Sequence, residues 1–287
     1  MPPDRFTGGT RLTGPVELSV IIPTLNRRPY LERCLQSVLA DIDQGRVAAE
    51  IVVIDGGSTD GTVELLQRLN DRIGYWVSEK DSGVSEAARK GVEASVGEVL
   101  HLFAADDESY PGTSCRVLDY LRARPDVDAV LTRWVYRFEL PDGSCRDLVI
   151  GQPPPGRLAR AYIVDTAGST TPPPEATFYR RRVFERFGHY DLRYHYLAYL
   201  EYWLRLTGRG ARVDVIEDLT TRKSYTAVSD TAAGDPRRID AELRQVLRRH
   251  GGLRGRLVLG YRDVFGPIAL PRRALRLVAR AAKGGRL

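Results

Sequence analysis

Residues 97–112 read G-E-V-L-H-L-F-A-A-D-D-E-S-Y-P-G, and this stretch decides the fold class. From Val99 to Ala105 it is apolar, with His101 as its one polar member. A strand buried on both faces of a parallel sheet carries such a continuous run. The run stops on two adjacent carboxylates, Asp106 and Asp107. Ligands of open α/β sheets gather just beyond the carboxyl ends of the strands. Two acids placed there need a counter-charge, which a divalent cation holding a phosphate would supply. The plainer alternative is that Asp106 caps a following helix and Asp107 is solvated in its first turn.

Upstream, short apolar strands are expected at Glu17–Ile22, Glu50–Ile54 and Tyr75–Ser78. Pro29 suits the first turn of a helix, and Leu31, Cys34, Leu35, Val38 and Leu39 then repeat at helical spacing. Thr59 or Asp60 can cap a second helix carrying Val63, Leu66 and Leu69, and a third spans Val84 to Val96. This β-α-β-α-β-α-β alternation predicts a Rossmann-like, mostly parallel sheet with right-handed crossovers and helices on both faces. Residues 1–15, rich in Gly, Pro and Thr, read as a loose leader.

Downstream, Pro111 starts a helix reaching about Arg124. Val127–Glu139 and Ser144–Ile150 flank Pro141-Asp142-Gly143 as a hairpin, Asp-Gly being a strong turn signal. Pro153–Pro155 and Pro172–Pro174 punctuate a segment to which the pattern assigns no element. A strand is expected at Ala176–Tyr179, a helix from Arg180-Arg181-Arg182, another over Leu197–Leu206, and a late strand at Ala211–Ile216. Helices follow at Pro236–His250 and Leu253–Phe265, and an amphipathic one at Pro271–Lys283. Three units are expected: a parallel α/β half over 17–125, a second half over 126–230 and a basic helical tail over 231–287.

The composition, 43% apolar and 28% charged over 287 residues, is that of an ordered globular protein. No run of about 18 apolar residues predicts a membrane span, and the N-terminus lacks the apolar core of a signal peptide. Cys34, Cys115 and Cys145 form neither a metal pattern nor a disulfide framework, so a reducing cytoplasm is the expected setting. The net charge of +6 is uneven: residues 237–287 hold 14 Lys/Arg against 3 acids, leaving −5 for the first 236. Such a tail suits an anionic surface, and its arginines lie at helical spacing, as on a helix lying along a bilayer. Docking on a partner subunit and a solvated helix folded back over the sheet remain as alternatives. Nucleic acid is not an expected partner, since no recognition motif is present and aromatics do not interleave with the arginines.

In a parallel sheet the strand ends carrying Thr24, Asn26 and Arg27, then Asp55, Asp81 and Asp106-Asp107 lie along one edge. Acids after three successive strands, ending in an adjacent pair, fit a nucleotide better than a set of caps. Asp55 and Asp81 can accept hydrogen bonds from a base or ribose; Asp106 and Asp107 would meet a diphosphate through a cation, Asp107 touching the metal. No G-x-x-x-x-G-K-[ST] or G-x-G-x-x-G motif occurs, which disfavours a P-loop enzyme and a dinucleotide dehydrogenase. His101 reads as a buried, hydrogen-bonded core histidine. Trp134, Trp203 and the tyrosines from 190 to 202 could stack on a ligand ring, although aromatics at helical spacing more often pack.

P-T-L-N-R at 23–27, V-I-D-G-G-S-T-D-G-T at 53–62, S-E-K-D-S-G at 78–83 and F-A-A-D-D at 103–107 resemble the family 2 glycosyltransferases of the GT-A fold. Glu175-Ala-Thr-Phe-Tyr-Arg-Arg with Phe187-Gly188-His189-Tyr190-Asp191 extends the resemblance, which covers about residues 17–230 and is similar to the branch building bacterial polysaccharides; it makes 17–125 the nucleotide-sugar-binding half and 126–230 the acceptor-binding and catalytic half. It implies an inverting transfer of a hexosyl or N-acetylhexosaminyl unit from a nucleotide-sugar, usually UDP-linked, to a hydroxyl of a glycan, lipid-linked or small-molecule acceptor. It implies nucleotide contacts from Pro23, Thr24, Asn26, Arg27, Asp55, Asp81, Ser82, Gly83 and Asp106, with Mn²⁺ or Mg²⁺ held by Asp107 and Asp106. A lipid-linked acceptor would add a peripheral position at the inner membrane face.

The chain departs from that pattern on the acceptor side. Relatives commonly carry His-Gln where Pro174-Glu175 stands, and an Asp base that aligns on Tyr199. A tyrosine with an ordinary pKa of about 10 is a poor base at neutral pH. Glu201, Asp191 and Glu175 are the candidate bases; Glu201 also reads as an i,i+4 partner of Arg205. The rival function is a non-catalytic nucleotide-sugar-binding relative or scaffold subunit. A nucleotidyltransferase would want a Gly-rich phosphate loop where Pro23-Thr24-Leu25-Asn26 stands.

Overall fold

The computed structural model describes residues 5–139, 144–149, 152–167, 171–225 and 235–265. Its frame is a mixed sheet. In chain order the strands are β1 (Arg5–Gly8), β2 (Leu18–Thr24), β3 (Ala49–Asp55), β4 (Tyr75–Glu79), β5 (Val99–Leu102), β6 (Glu108–Ser109), β7 (Ala129–Glu139), β8 (Cys145–Leu148), β9 (Gly156–Arg157), β10 (Thr177–Arg180) and β11 (Val213–Tyr225). They lie in the order β1-β4-β3-β2-β5-β10-β7-β11-β6, with β8 on β7 and β9 on β11. β4, β3, β2 and β5 run parallel, as expected. β10 runs antiparallel to both β5 and β7. That reversal brings the start of β10 to the edge where β5 ends.

The helices are α1 (Arg28–Gly45), α2 (Thr62–Arg68), α3 (Val84–Ala94), α4 (Thr113–Ala123), α5 (Arg160–Asp165), α6 (Arg181–Phe187), α7 (Ala198–Gly208), α8 (Pro236–His250) and α9 (Gly252–Phe265). Alternate strand residues enter two apolar cores, one on each face of the sheet. Ile21, Val52, Ile54, Val77 and Leu100 point to one core, and Val20, Ile22, Ile51, Val53 and Val99 to the other. This is why these strands read as unbroken apolar runs. Helix α3 approaches β2 so closely that a Cβ on Gly91 would stand 2.2 Å from Ile21 Cγ2, so only glycine fits there. Helices α8 and α9 are built into the body, with Leu243, Val246, Leu247 and Leu259 in the first core.

Three expectations are corrected. The leader holds a strand: β1 pairs antiparallel with edge strand β4, through backbone bonds that need no apolar pattern. The late strand does not stop at Ile216 but runs to Tyr225, with register shifts against β7 on either side of Leu219. Such bulges re-aim the residues beyond them. The strand at 99–105 ends at Leu102, although the Phe103 N–H still reaches Ile21 O at 2.8 Å. The hairpin of β7 and β8 is present, and its Pro141-Asp142-Gly143 turn lies outside the described residues, as does the helix expected at Pro271–Lys283.

Candidate functional site

The ends of β2 and β3 are locked together. Thr24 stands beside Asp55 in the parallel register, and Asp55 beside Ser78. Asn26 sits in the left-handed region at φ 50°. Its N–H donates to Ser58 Oγ at 2.6 Å and its Oδ1 accepts from Thr59 N–H at 2.9 Å. Asp60 bridges the starts of two helices, accepting from Arg28 N–H at 2.9 Å and Thr62 N–H at 3.2 Å. Asp55 is wholly buried and accepts from Ser58 N–H at 2.9 Å, from Ser58 Oγ and from Ser78 Oγ at 2.5 Å. Thr24, after Pro23, presents a buried hydroxyl with no partner in the structure.

The next strand end adds Asp81. A Cβ on Gly56 would lie 3.1 Å from Asp81 Oδ2, so glycine lets the two loops touch. Burial pushes the Asp81 carboxyl up, against the pull of its bond from Gly83 N–H at 2.8 Å. Ser82 is engaged with Glu86 of α3, its N–H donating to Oε2 at 2.8 Å. Gly83, at φ 121°, lies beside His195, whose Cε1 would stand 3.7 Å from a Cβ there.

The helix-cap alternative for Asp106 and Asp107 is ruled out by distance along the chain. α4 begins at Thr113, and its first turn is capped from α1 by Asp41, which accepts from Thr113 N–H at 2.7 Å and Ser114 N–H at 3.2 Å. Asp106 is partly exposed, with Arg27 Nη1 3.8 Å from its Oδ2. Asp107 is 1% exposed. Its Oδ1 accepts from Ser224 N–H at 2.8 Å, and its Oδ2 has no hydrogen-bond partner. Burial, with Glu175 and Asp106 nearby, pushes the Asp107 carboxyl well up, while Lys223 opposes the shift.

Lys223 and Glu175 complete this cluster. β6 pairs antiparallel with β11, Ser109 opposite Thr221 and Glu108 opposite Arg222, so the next step of the register sets Asp107 by Lys223. Lys223 Nζ lies 3.6 Å from Asp107 Oδ2 and 3.1 Å from Glu175 Oε1. Alternation sends Arg222 and Glu108 to the other face, where they pair at 3.1 Å. Burial works against the charge on Lys223, but Asp107, Glu175 and Asp106 hold it well above the ordinary lysine range. Glu175 occupies the turn before β10; its carbonyl accepts from His101 Nε2–H at 2.7 Å and Thr221 Oγ1 at 2.6 Å. His101 is thus the buried, bonded histidine expected, and burial holds its imidazole at about 4. Glu175 Oε2 is a second buried oxygen without a partner.

The other two candidate bases stand elsewhere. Glu201 is 2% exposed and grips Arg205 with both oxygens, at 2.8 and 2.9 Å, with His250 Nε2 3.2 Å away. Arg205 also donates to His189 O at 2.7 Å, so this pair ties α7 to the preceding loop and α8. Asp191 is ion-paired with the exposed Arg193 at 2.5 Å. Tyr199 packs against the first core within electrostatic reach of Lys223, Tyr136 and Glu175, and burial pushes its phenol up to about 12. Trp134 and Trp203 are core residues, as the packing reading had it. Glu242 of α8 accepts from the N–H groups of His195, Tyr196 and Leu197 at 2.8–3.1 Å and so fixes the entry to α7.

Lys223 and Tyr136 are absent from the residues predicted for the site. A lysine near the end of a strand carries no signal of its own; only the β6–β11 register gives Lys223 meaning. Among the described residues, no three or more His, Cys, Asp or Glu side chains are gathered as a ready cation site. The orphaned oxygen of Asp107, with the carboxylate of Asp106 next along the chain, is nevertheless a hard donor of the kind that Mg²⁺ and Mn²⁺ take, and it fits such an ion.

Residues 19–188, which hold most of this edge, match the family model described as glycosyl transferase family 2. The chain belongs to glycosyl transferase family 2. This family 2 chain is 30% identical over 254 residues to an uncharacterized glycosyltransferase of Mycobacterium tuberculosis, covering 88% of the chain and 90% of that protein. It is 30% identical over 200 residues to a PGL/p-HBAD biosynthesis glycosyltransferase of Mycobacterium bovis, covering 68% and 71%. Its fold is GT-A. It superposes on Staphylococcus aureus TarS 1-349 in complex with UDP-GlcNAc with a TM-score of 0.62 at 16% identity, over 82% of this chain and 65% of that one, so the TarS fragment is longer than the shared part. The mannosyltransferase PcManGT from Pyrobaculum calidifontis, in complex with GDP-Man and Mn²⁺, gives a TM-score of 0.61 at 20% identity, over 98% and 79%.

Proposed function

We propose that this family 2 chain transfers a hexosyl or N-acetylhexosaminyl unit from a UDP-linked donor to a hydroxyl, with inversion at the anomeric carbon. The acceptor is a glycan, a lipid-linked sugar or a small molecule in glycoconjugate synthesis. The observation that carries this reading is the orphaned Asp107 Oδ2, buried at the edge where Thr24, Asp55, Asp81 and Asp106 gather, with Glu175 across from it. The UDP-GlcNAc and GDP-Man complexes of the structural neighbours lend it weight.

In this scheme Asp55 and Asp81 receive the nucleoside, with Pro23, Thr24, Asn26, Arg27, Ser82 and Gly83 shaping its cleft. Asp106 and Asp107 hold a divalent cation, Mn²⁺ or Mg²⁺, which when bound neutralises the departing diphosphate. Glu175 is the general base. Its Oε1 is held by Lys223 and its carbonyl by His101 and Thr221, leaving Oε2 open to an acceptor hydroxyl. Glu201 and Asp191 are engaged in ion pairs and have structural roles.

A second reading, a non-catalytic nucleotide-sugar-binding subunit, is favoured by Tyr199, since a phenol near 12 does not take a proton from an alcohol at neutral pH. A donor panel separates the two. The purified protein is expected to release UDP from UDP-sugars slowly, and faster with an acceptor. Intact UDP binding without turnover of any donor favours the subunit instead.

We also assign the protein to the cytoplasmic side, peripheral at the inner membrane face. No helix among the described residues is long and apolar enough to cross a membrane. α8 and α9 expose Arg237, Arg248, Arg249 and Arg256 beside the exposed Leu253 and Leu257, a mixture suited to an anionic bilayer. Removing the residues after Gly266, which carry more arginines, is expected to lower co-sedimentation with anionic vesicles several-fold; unchanged binding would exclude a membrane role for that segment.

A further inference from the structure

We propose that Lys223 is a tethered cation that keeps a free divalent metal ion out of the Asp107 site and reserves the site for an ion arriving with a diphosphate. The proposal rests on the donor-site reading above and specifies the order in which that site fills. Lys223 Nζ stands 3.6 Å from Asp107 Oδ2, beyond hydrogen-bond length, and 3.1 Å from Glu175 Oε1. The ammonium therefore compensates Asp107 without claiming its free oxygen. Asp107 Oδ2 stays buried and unpartnered, open to a harder cation. The strand register, together with the Ser224 N–H on Asp107 Oδ1, holds the lysine in place.

Formal charge indicates when such an ion is wanted. With an ion bound, Asp106, Asp107 and Glu175 supply three negative charges, against positive ones on Lys223 and on Arg27 beside Asp106. A lone divalent ion would meet the ammonium at close range, a repulsion in a poorly screened site worth roughly tenfold or more in affinity. A diphosphate adds at least two negative charges, so the ion that accompanies it is needed. The lysine side chain is 29% exposed while that of Asp107 is fully covered. Its flexible stem thus has a way out toward solvent that Asp107 lacks.

Mn²⁺ alone is the probe, titrated into donor-free full-length protein and read from the loss of the aqueous Mn²⁺ paramagnetic resonance signal. Lys223→Met is expected to bind one Mn²⁺ at least about tenfold more tightly than the wild type. Lys223→Arg, which keeps the charge, is expected to stay as weak as the wild type. Adding Asp107→Asn to Lys223→Met is expected to remove the gain. Should Lys223→Met fail to fold, Lys223→Gln takes its place. Equal Mn²⁺ affinity in the wild type and a folded, uncharged variant overturns the proposal. UDP titrated with Mn²⁺ present keeps this separate from the donor reading: a wild type that binds UDP yet shows no Lys223 effect on Mn²⁺ loses only the tethered cation. A wild type that binds no nucleotide under any condition overturns the donor site itself.

Discussion

Asp107→Ala is expected to weaken UDP binding in the presence of Mn²⁺ by roughly 100-fold or more, while binding without metal, already weak, changes little. The size follows from what Asp107 supplies. Its Oδ2 is buried and free of hydrogen bonds, and no other acid among the described residues combines that with a place on the F-A-A-D-D turn. Fold stability is a separate matter. Burial pushes the Asp107 carboxyl well up, so holding it there already opposes its charge, and its removal leaves Lys223 paired with Glu175. Calorimetric titration with and without Mn²⁺, beside a thermal melt, checks both statements. Metal-dependent UDP binding that survives in Asp107→Ala would remove the basis for the donor site.

Glu175→Gln is expected to lower the transfer rate by roughly 10²–10⁴, the usual worth of a general base, with UDP affinity nearly unchanged and some stability lost with the Lys223 ion pair. Glutamine keeps the side chain's shape, and the backbone carbonyl held by His101 and Thr221 is untouched. Glu201→Gln is expected to do the reverse. It breaks a buried ion pair with Arg205, at a cost of about 3–5 kcal/mol of stability, and leaves turnover of the folded fraction intact. Rates per folded molecule and denaturant midpoints for both variants distinguish the two acids. A stable Glu201→Gln protein with no turnover would move the base to α7 and displace Glu175.

These two glutamates show how far a linear reading reaches. The i,i+4 spacing of Glu201 and Arg205 is visible in the sequence, because helix geometry alone brings such residues together. Whether Glu201 faced the cleft or the core could not be read, since both faces of α7 carry large apolar residues. Glu175 lay in a proline-punctuated segment without periodicity. It reaches Asp107 only because β10 runs against its neighbours and starts where β5 ends. Strand β1 was missed for a related reason: it adds to the edge of β4 through backbone bonds, which leave no mark on side-chain pattern.

The sequence by itself determined the parallel half of this protein. Strands buried on both faces must be continuous apolar runs, the helices between them must repeat at their own period, and the acids that end such runs must share one edge. Those rules alone group Asp55, Asp81, Asp106 and Asp107. Only the tertiary structure decided what faces Asp107. A bulged strand read as ending at Ile216 runs on to Tyr225, and its pairing with two residues of β6 sets Lys223 beside Asp107 and Arg222 on the opposite face. A shift of one residue would exchange the two, because side chains alternate along a strand, and register is a property of the paired strands that neither sequence carries alone.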